Sequence, residues 1–305
     1  MSRPEPLRLG TRASALAQAQ TRLVADRLRA AGWEVEPVEV RTSGDRSQRD
    51  RSLPLARGAF VKELEGALRD RRVDLAVHSA KDLPTEEAPG LVLAAMPPRG
   101  DARDALVTRD GSVLAGLPER ARVGTESPRR RAFLLLERPD LRVVSVRGNV
   151  DTRLARLAEG LCDALVLAKA GLDRLARTER IAEVFEPERM VPAVGQGALA
   201  IQARAGDPWL EELLFLDDPE TRRAVSAERA FLQAMGGGCR APFAAHARLE
   251  AGGLTVQGAA LDPDGRRIVR DVVRGPAEEA VELGRALAGA LLEHGAAALA
   301  AGGAT

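Results

Sequence analysis

The chain has 305 residues, of which 45% are hydrophobic and 29% charged; this length predicts two or three domains, and this composition excludes disorder of the whole chain. Basic residues (45) and acidic residues (44) are almost equal in number, which disfavours a chain-wide surface for nucleic acid. The N-terminus has no apolar targeting region, and no apolar stretch approaches the ~18 residues of a membrane span, so we expect a cytoplasmic protein with no membrane contact.

The first predicted elements alternate between strands and helices. The strand "LRLG" leads into a helix that Thr11 or Ser14 can cap and that Gly32 ends. A strand, "EVEPVEV", comes next and is followed by the polar stretch 42–59, whose length and lack of periodicity predict a mobile loop. A helix, "VKELEGALRDRR", and a strand, "VDLAVHSA", complete this part of the chain.

The same order of elements returns from about residue 121. The segments "LGTRAS" and "VGTESP" share Gly-Thr at a strand-to-helix junction, and "VDLAVHSAKD" is matched later by "CDALVLAKAG". This repeat predicts an α/β fold with two similar lobes around a cleft, like those of periplasmic binding proteins. We place the first lobe at residues 1–97 with 197–217, and the second at residues 98–196.

Residues 218–305 follow a different pattern from both lobes. A helix, "SAERAFLQAM", precedes a glycine-rich turn, alternating strands of which two are joined through "DPDG", and a final helix. This pattern predicts a small C-terminal α+β domain with a three-stranded antiparallel sheet.

Six arginines fall after predicted strands or near the start of helices, at the rim where ligands collect in open α/β sheets. They are Arg12, Arg129, Arg130, Arg147, Arg153 and Arg174, and we place Arg147 at the end of the strand "LRVVSV". Guanidinium groups bind carboxylates and phosphates bidentately, so the set predicts a ligand with several acidic groups. Exposed surface remains the ordinary alternative for any one arginine, and Ser14 and Ser127 can be helix caps, ligand contacts or both.

Asp82 follows a strand that is predicted to be buried and stands beside Lys81, whereas most other acids are expected on helix faces or loops. Such a carboxylate either has a structural role or stabilises positive charge that develops in a reaction. His78 is predicted to be a packed or hydrogen-bonded residue at the strand end. His246 and His294 have no ligand-like partners nearby in sequence, so we expect no metal site.

The two cysteines lie in different contexts, and we expect no disulfide between them. Cys162 begins an apolar strand and is predicted to be a small buried hydrophobic residue. Cys239 follows three glycines, which let a backbone pass close to a bulky group. It is either incidental to a flexible turn or a point of covalent attachment, because no histidine stands beside it to act as a base.

Several segments together resemble the porphobilinogen deaminase family, whose members are also named hydroxymethylbilane synthases. The resemblance covers nearly the whole chain, and the segments in order are "LGTRASALAQAQ", "FVKELEGALRDRRVDLAVHSAKDLP", "SPRRRAFLL", "VRGNVDTRL", "AKAGLDRL", "PAVGQGAL" and "AERAFLQAMGGGCRAP". One stretch departs from the family: this chain has "PLARGAFVKE" where family members are longer before the position of Phe60.

The resemblance implies a transferase of porphyrin and heme biosynthesis that joins four porphobilinogen molecules head to tail, releases ammonia and hydrolyses off linear hydroxymethylbilane. It implies a monomer with a dipyrromethane cofactor, bound through a thioether to Cys239, and Asp82 as the catalytic residue. The family's cofactor-binding positions match Lys81, Ser127, Arg129 and Arg130. Its substrate-binding positions match Arg12, Ser14, Phe60, Arg147, Arg153, Arg174 and Gln196.

Two other functions fit part of the sequence. A solute-binding protein would share the two lobes and the arginines, but it would need an export signal and would use neither Asp82 nor Cys239. A nucleic-acid-binding protein would need a net basic surface and stacking aromatic residues, whereas aromatic residues make up only 3% of this chain.

Overall fold

The structure, a computed structural model, describes residues 5–41, 61–236 and 242–301. The expectations for Phe60, Cys239 and the stretch 42–59 concern residues outside these ranges. The chain divides into two compact units, one made of Met1–Gly100 and Ala198–Arg222 and the other of Asp101–Gly197 and Arg223–Thr305. None of the helices in the described ranges has both the length and the hydrophobicity to cross a membrane.

The first unit is built on a five-stranded sheet with the strand order β2-β1-β3-β10-β4. Its strands are β1 (Leu7–Thr11), β2 (Val35–Glu39), β3 (Leu75–Ser79), β4 (Leu91–Ala95) and β10 (Leu199–Arg204). Its helices are α1 (Ala15–Ala30) and α2 (Lys62–Arg69), with 3-10 turns at Ala80–Asp82 and Leu210–Leu216. Strands β1, β2 and β3 run parallel, because helical crossovers connect them, and β10 is antiparallel to both β3 and β4.

The second unit contains a sheet of the same topology, with the order β7-β6-β8-β5-β9. Its strands are β5 (Asp104–Thr108), β6 (Arg122–Gly124), β7 (Arg142–Val144), β8 (Ala164–Ala168) and β9 (Ile181–Phe185). Its helices are α3 (Pro128–Glu137), α4 (Val150–Ala158) and α5 (Lys169–Arg174), with 3-10 turns at Leu114–Gly116 and Thr178–Arg180. Strands β6, β7 and β8 are parallel, while β5 is antiparallel to β8 and β9. The prediction of two similar α/β lobes is therefore confirmed.

The repeated Gly-Thr has a steric reason in both lobes. A Cβ atom on Gly124 would lie 2.6 Å from Cγ2 of Val146 and 2.7 Å from Cδ2 of Leu165. A Cβ on Gly10 would lie 3.1 Å from Cδ2 of Leu64. Strands β1 and β6 therefore both need glycine where neighbouring side chains press against the backbone.

An ion pair that joins β1 to the residue before β3 is repeated in the second lobe between β6 and the residue before β8. Arg8 donates to Asp74 from its backbone nitrogen at 3.0 Å and from Nε at 2.9 Å. Arg122 donates to Asp163 from its backbone nitrogen at 2.8 Å and from Nε at 3.2 Å. Because both lobes contain this pair, it belongs to the construction of the fold.

A third sheet follows in the second unit, with the antiparallel order β11-β12-β13, as predicted. Its elements are α6 (Pro219–Ala234), β11 (Phe243–Glu250), β12 (Gly253–Leu261), β13 (Ile268–Gly275), α7 (Ala280–Glu293) and α8 (Ala296–Ala301). Apolar residues of this sheet, such as Leu261, share a core with Phe133 of α3. The turn at Gly265 (φ +67) lies so close to α3 that a Cβ there would be 2.3 Å from the carbonyl oxygen of Ala132. The third sheet therefore packs directly on helix α3.

Candidate functional site

Helix α3 begins with the sequence signals that predicted it. Ser127 is the N-cap, its hydroxyl accepting a hydrogen bond from the backbone nitrogen of Arg130 at 3.4 Å, and Pro128 opens the helix. The next two residues, Arg129 and Arg130, are only 5% and 6% exposed. The expectation that all six arginines project from a rim is therefore wrong for these two, because their guanidinium groups turn inward to a carboxylate.

That carboxylate belongs to Asp104, the first residue of β5, which is fully buried. Its Oδ2 lies 2.7 Å from Nη2 of Arg129, and its Oδ1 accepts from Nε of Arg130 at 2.9 Å and from Nε2 of Gln196 at 3.0 Å. Burial alone would raise the pKa of Asp104, but the two guanidinium groups and the Gln196 amide hold it below its ordinary value. Sequence reasoning missed Asp104; the signal was an acid directly before an apolar run in "DALV".

The two arginines differ in how far their donors are used. Arg130 also donates from Nη1 to the carbonyl of Val166 at 2.9 Å and from Nη2 to Oε1 of Gln196 at 3.4 Å. Arg129 donates from Nη1 to the carbonyl of Val191 at 2.7 Å, but its buried Nε has no hydrogen-bond partner within the described ranges. Burial, together with the charge of Arg130, lowers the pKa of Arg129 despite the ion pair with Asp104.

We name Asp104, Arg129, Arg130 and Gln196 the Asp104 cluster. Its positive and negative charges are not equal in number. Two guanidinium groups share one carboxylate, which leaves one positive charge without a partner inside the cluster. Arg153 lies close enough for the charge of Arg130 to act on it: burial first, and Arg130 second, lower the pKa of Arg153 to about 10. Arg153 remains a cation at neutral pH, so this region of the second unit favours an anionic ligand.

The other two predicted arginines of this unit have local partners. Arg174 donates from Nη2 to the carbonyl of Gly197 at 2.5 Å, and burial lowers its pKa. Arg147 is more exposed, and its Nε lies 3.4 Å from a carboxylate oxygen of Glu126. The prediction that Arg147 ends a strand is wrong: β7 stops at Val144, three residues earlier, because only three residues pair with β6.

Glu228, on α6, is a second buried acid that sequence reasoning missed. Its carboxylate accepts from the backbone nitrogens of Gly195 at 2.7 Å and Ala247 at 2.8 Å. It therefore ties the loop before Gln196 to strand β11. Glu228 lies on a helix, as expected of most acids, but it is buried, and Asp104 departs from that expectation because it lies on a strand.

In the first unit, Lys81 and Asp82 lie exposed on the 3-10 turn that follows β3. The start of this turn is fixed by the backbone nitrogen of Ala80, which donates to the carbonyl of Ala198 at 3.0 Å. The end of β3 is fixed by Gln20 of α1, which donates from Nε2 to Oγ of Ser79 at 2.9 Å. The turn thus presents the Asp82 carboxylate to solvent from a rigid base.

The remaining predicted residues of the first unit lie at the start of α1 and near β3. Ser14 caps α1, accepting from the backbone nitrogen of Ala17 at 3.3 Å, and Arg12 follows β1. His78 is buried with its Nε2 3.1 Å from Oε1 of Gln202, which confirms a packed, hydrogen-bonded residue. Burial and the nearby charge of Arg12 lower the pKa of His78 to about 4, against the effect of Gln202, so His78 is neutral at pH 7.

Cys162 is fully buried, and burial raises the pKa of its thiol, so the prediction of a small buried hydrophobic residue is confirmed. Within the described ranges, no group of three or more His, Cys, Asp or Glu side chains is arranged to hold a metal ion.

Comparison with solved structures finds likeness at low identity. The BvgS VFT2 domain of Bordetella pertussis is 17% identical, with a TM-score of 0.43, over 68% of this chain and 84% of that one. The periplasmic aliphatic sulphonate binding protein SsuA of Escherichia coli is 17% identical, with a TM-score of 0.37, over 77% of this chain and 71% of that one. With scores this low, we draw no conclusion from either likeness.

Comparison at the level of sequence is decisive. Residues 7–212 match the family model "Porphobilinogen deaminase, dipyromethane cofactor binding domain", and residues 222–293 match "Porphobilinogen deaminase, C-terminal domain". The porphobilinogen deaminase of Roseiflexus castenholzii is 51% identical over 97% of this chain and 99% of its own length. Those of Rubrobacter xylanophilus and Deinococcus deserti are 50% and 45% identical, each over 95% of this chain and 95% and 96% of their own lengths.

These matches extend over almost the whole chain and name an enzyme, which decides against the solute-binding alternative. The chain belongs to the porphobilinogen deaminase family.

Proposed function

We propose that this chain is the transferase that deaminates four porphobilinogen molecules, joins them head to tail and hydrolyses the product off as linear hydroxymethylbilane, releasing ammonia. The observation that carries the proposal is the buried Asp104 cluster, with its uncompensated positive charge, inside the segment matched to a dipyromethane cofactor binding domain. Each porphobilinogen carries an acetate and a propionate group. A growing chain of pyrroles is therefore a polyanion that this surplus charge can bind.

The residues of the second unit fit a dipyrromethane cofactor. Each of its two rings carries an acetate and a propionate group, and Arg129 has a buried Nε with no partner among the described residues. We infer that Ser127, Arg129 and Arg130 hold the cofactor's carboxylates. We also assign Lys81 to the cofactor, on its match to a family position alone. When bound, the cofactor supplies the pyrrole carbon on which the chain is built.

We infer that Cys239 carries the cofactor through a thioether. The buried position of Cys162 and its raised pKa support this, because a thiol without access to solvent cannot react with a pyrrole. Of the two cysteines in the sequence, Cys239 is then the one left for attachment.

We assign Asp82 as the catalytic residue. Loss of ammonia from porphobilinogen leaves positive charge on the carbon that must be attacked, and a carboxylate lowers the energy of that charge. The same carboxylate can accept a hydrogen bond from a pyrrole N–H. The exposed side chain of Asp82, on a turn fixed at Ala80, supports both roles because a substrate can reach it.

We assign the remaining matched positions to the substrate and the growing chain. Partly desolvated guanidinium groups bind carboxylates more strongly than fully hydrated ones do, and burial, which lowers the pKa values of Arg153 and Arg174, marks both groups as partly desolvated. The full set is Arg12, Ser14, Phe60, Arg147, Arg153, Arg174 and Gln196.

We further propose a monomer that acts in the cytoplasm and uses neither a membrane nor nucleic acid. The three-domain division, with residues 1–97 and 197–217, 98–196, and 218–305, also stays a proposal. It is supported by three separate sheets.

The intact mass of the purified protein tests the proposal. We expect an excess over the sequence mass equal to two linked pyrrole units, located by peptide mapping at Cys239. The variant Cys239→Ser should lack the excess, whereas the matched variant Cys162→Ser should retain it. Production of hydroxymethylbilane by protein with an unmodified Cys239 would contradict the attachment.

A further inference from the structure

The two lobes differ at the position of Asp104. Asp104 lies opposite Ala168, the last residue of β8, and in the first lobe the corresponding partner of Ser79, the last residue of β3, is Leu199. Asp104 and Leu199 thus occupy the same place in two sheets of the same topology. Both are buried, one as a charge and the other as an apolar side chain.

The helix starts differ in the same way. Counted from the capping serines, Arg129 and Arg130 correspond to Leu16 and Ala17. The first lobe therefore builds this corner without any of the three charges of the Asp104 cluster. The cluster is not required for the fold, and buried charges are costly unless they are fully paired, so a function other than folding should account for it.

The hydrogen bonds assign different tasks to the two arginines. Every side-chain nitrogen of Arg130 has a partner in Asp104, Gln196 or Val166, so its place is fixed by the protein. Arg129 keeps a buried Nε without a partner among the described residues. Arg129 also lies in the first turn of a ten-residue helix, where unpaired backbone N–H groups add positive potential.

We propose that Asp104 is a positioning residue: it neutralises Arg130 and holds Arg129, with one positive charge in surplus, for a carboxylate of the dipyrromethane cofactor. This inference rests on the proposed function. It refines the roles of the two arginines that we infer to hold the cofactor: Arg129 contacts the cofactor's carboxylate directly, whereas Arg130 acts through Asp104.

The surplus charge has a consequence for stability. Without the cofactor, the protein holds a buried guanidinium charge that is only half compensated, which destabilises it. A bound carboxylate supplies the missing counter-charge, so loading should stabilise the protein by an amount that depends on the charge of the cluster.

The test is the rise in Tm on cofactor loading, measured on protein produced with and without the cofactor and verified by intact mass. Asp104→Asn removes the only carboxylate of the cluster while preserving its shape, and it should lower the Tm of the cofactor-free protein by about 5 °C more than that of the loaded protein. Arg129→Met removes the surplus charge and should reduce the rise in Tm on cofactor loading to less than half of the wild-type value. Asp74→Asn is the matched control, since Asp74 is a buried acid bonded to Arg8 and Arg204 in the other unit; it should lower both Tm values equally.

Two results together would overturn the inference. In Asp104→Asn, Tm would fall equally in the loaded and cofactor-free proteins. In Arg129→Met, the rise in Tm on cofactor loading would equal that of the wild type. If Asp104→Asn does not fold without the cofactor, the rise in Tm of Arg129→Met on cofactor loading tests the inference by itself. Arg130→Met should lower both Tm values, because it leaves Asp104 without its main support. A wild-type protein that never carries the pyrrole mass would instead refute the proposed function, and the inference with it.

Discussion

The two α/β lobes share strand order, strand directions, a glycine near the ends of β1 and β6 and a serine helix cap, yet they place different polar groups in their cores. The first lobe has His78 hydrogen-bonded to Gln202. The second lobe has Leu167 and Val107 at the corresponding positions, counted along the strands from the register pairs Ser79–Leu199 and Ala168–Asp104. Conversely, Leu199 stands where the second lobe has Asp104. Apolar pattern and caps are therefore enough to build either lobe, and each polar set is an addition next to a proposed site: Asp82 in one unit and Arg129 in the other.

Both lobes also contain one polar contact in common, an ion pair between arginine and aspartate. The pair Arg8–Asp74 joins β1 to the residue before β3, and the pair Arg122–Asp163 joins β6 to the residue before β8. A polar contact present in both lobes supports the fold, whereas one present in a single lobe is a candidate for function.

The largest effect is expected at Asp82, the exposed acid of the first lobe. Asp82→Asn should fold and keep its cofactor. Its activity should fall by about 10²-fold to 10³-fold, which corresponds to a loss of about 3–4 kcal/mol of transition-state stabilisation. Ammonia release from porphobilinogen is the measurement, and intact mass confirms that the cofactor is present. Ammonia release close to that of the wild type would remove Asp82 from the mechanism.

Leu199→Asp transfers the acid of the second lobe to the first, where no arginine corresponds to Arg129 or Arg130. An unpaired carboxylate in that core should cost about 3–5 kcal/mol of unfolding free energy. Leu199→Ala, which removes apolar contacts without adding charge, should cost about 2–3 kcal/mol. Urea unfolding measures both; if the aspartate costs no more than the alanine, the lobes are not equivalent at this position.

The shared ion pairs should differ in strength because they differ in exposure. The Asp74 side chain is 4% exposed and that of Asp163 is 28% exposed. Asp74→Asn should therefore cost about 3 kcal/mol, and Asp163→Asn about 1 kcal/mol or less. In both, partner arginines hold the aspartate pKa below its ordinary value against the effect of burial. Their stabilisation is present above the ordinary aspartate pKa and is lost as pH falls through the lowered value, so each variant should flatten the acid limb of a Tm-against-pH curve.

His78 should give the first lobe a pH dependence that Leu167 cannot give the second. Its pKa is lowered to about 4 from 6.5, so the folded state favours the neutral ring. The unfolded chain takes up the proton first as pH falls, and stability should decline from about pH 6.5 toward pH 4, by about 2 kcal/mol at pH 5 relative to pH 7. His78→Gln should remove most of this decline. The matched variant His294→Gln, at an exposed histidine, should leave it unchanged.

Much of the fold could be predicted because its signals are local. The caps Ser14 and Ser127, Pro128 at a helix start and the alternation around "DPDG" each act within a few residues. The repeat in the sequence also predicted the matching topologies. The end of β7 was mispredicted because the apolar alternation continues to Val146, whereas pairing with β6 stops at Val144.

The candidate site was predictable by residue type and only partly by environment. Their places in the sequence picked out six arginines, Asp82 and Cys239 as candidates, and resemblance to the family supplied the roles expected of them. Burial of Arg129 and Arg130 could not be predicted from the sequence, since arginine is ordinarily exposed. Their partner Asp104 lies 25 and 26 residues away along the chain, and nothing local connects them.

The sequence by itself determined the number and kind of elements, the duplication of the α/β lobe and the family, because hydrophobic periodicity, caps and ordered motifs are properties of contiguous residues. Only the tertiary structure decided which charges are paired, which are buried and which donor is left over. Those properties depend on contacts such as that between Asp104 and Arg129, where antiparallel pairing of β5 with β8 brings an acid to the helix start that precedes β7. Desolvation, which sets the strength of such contacts, exists only once the chain has folded around them.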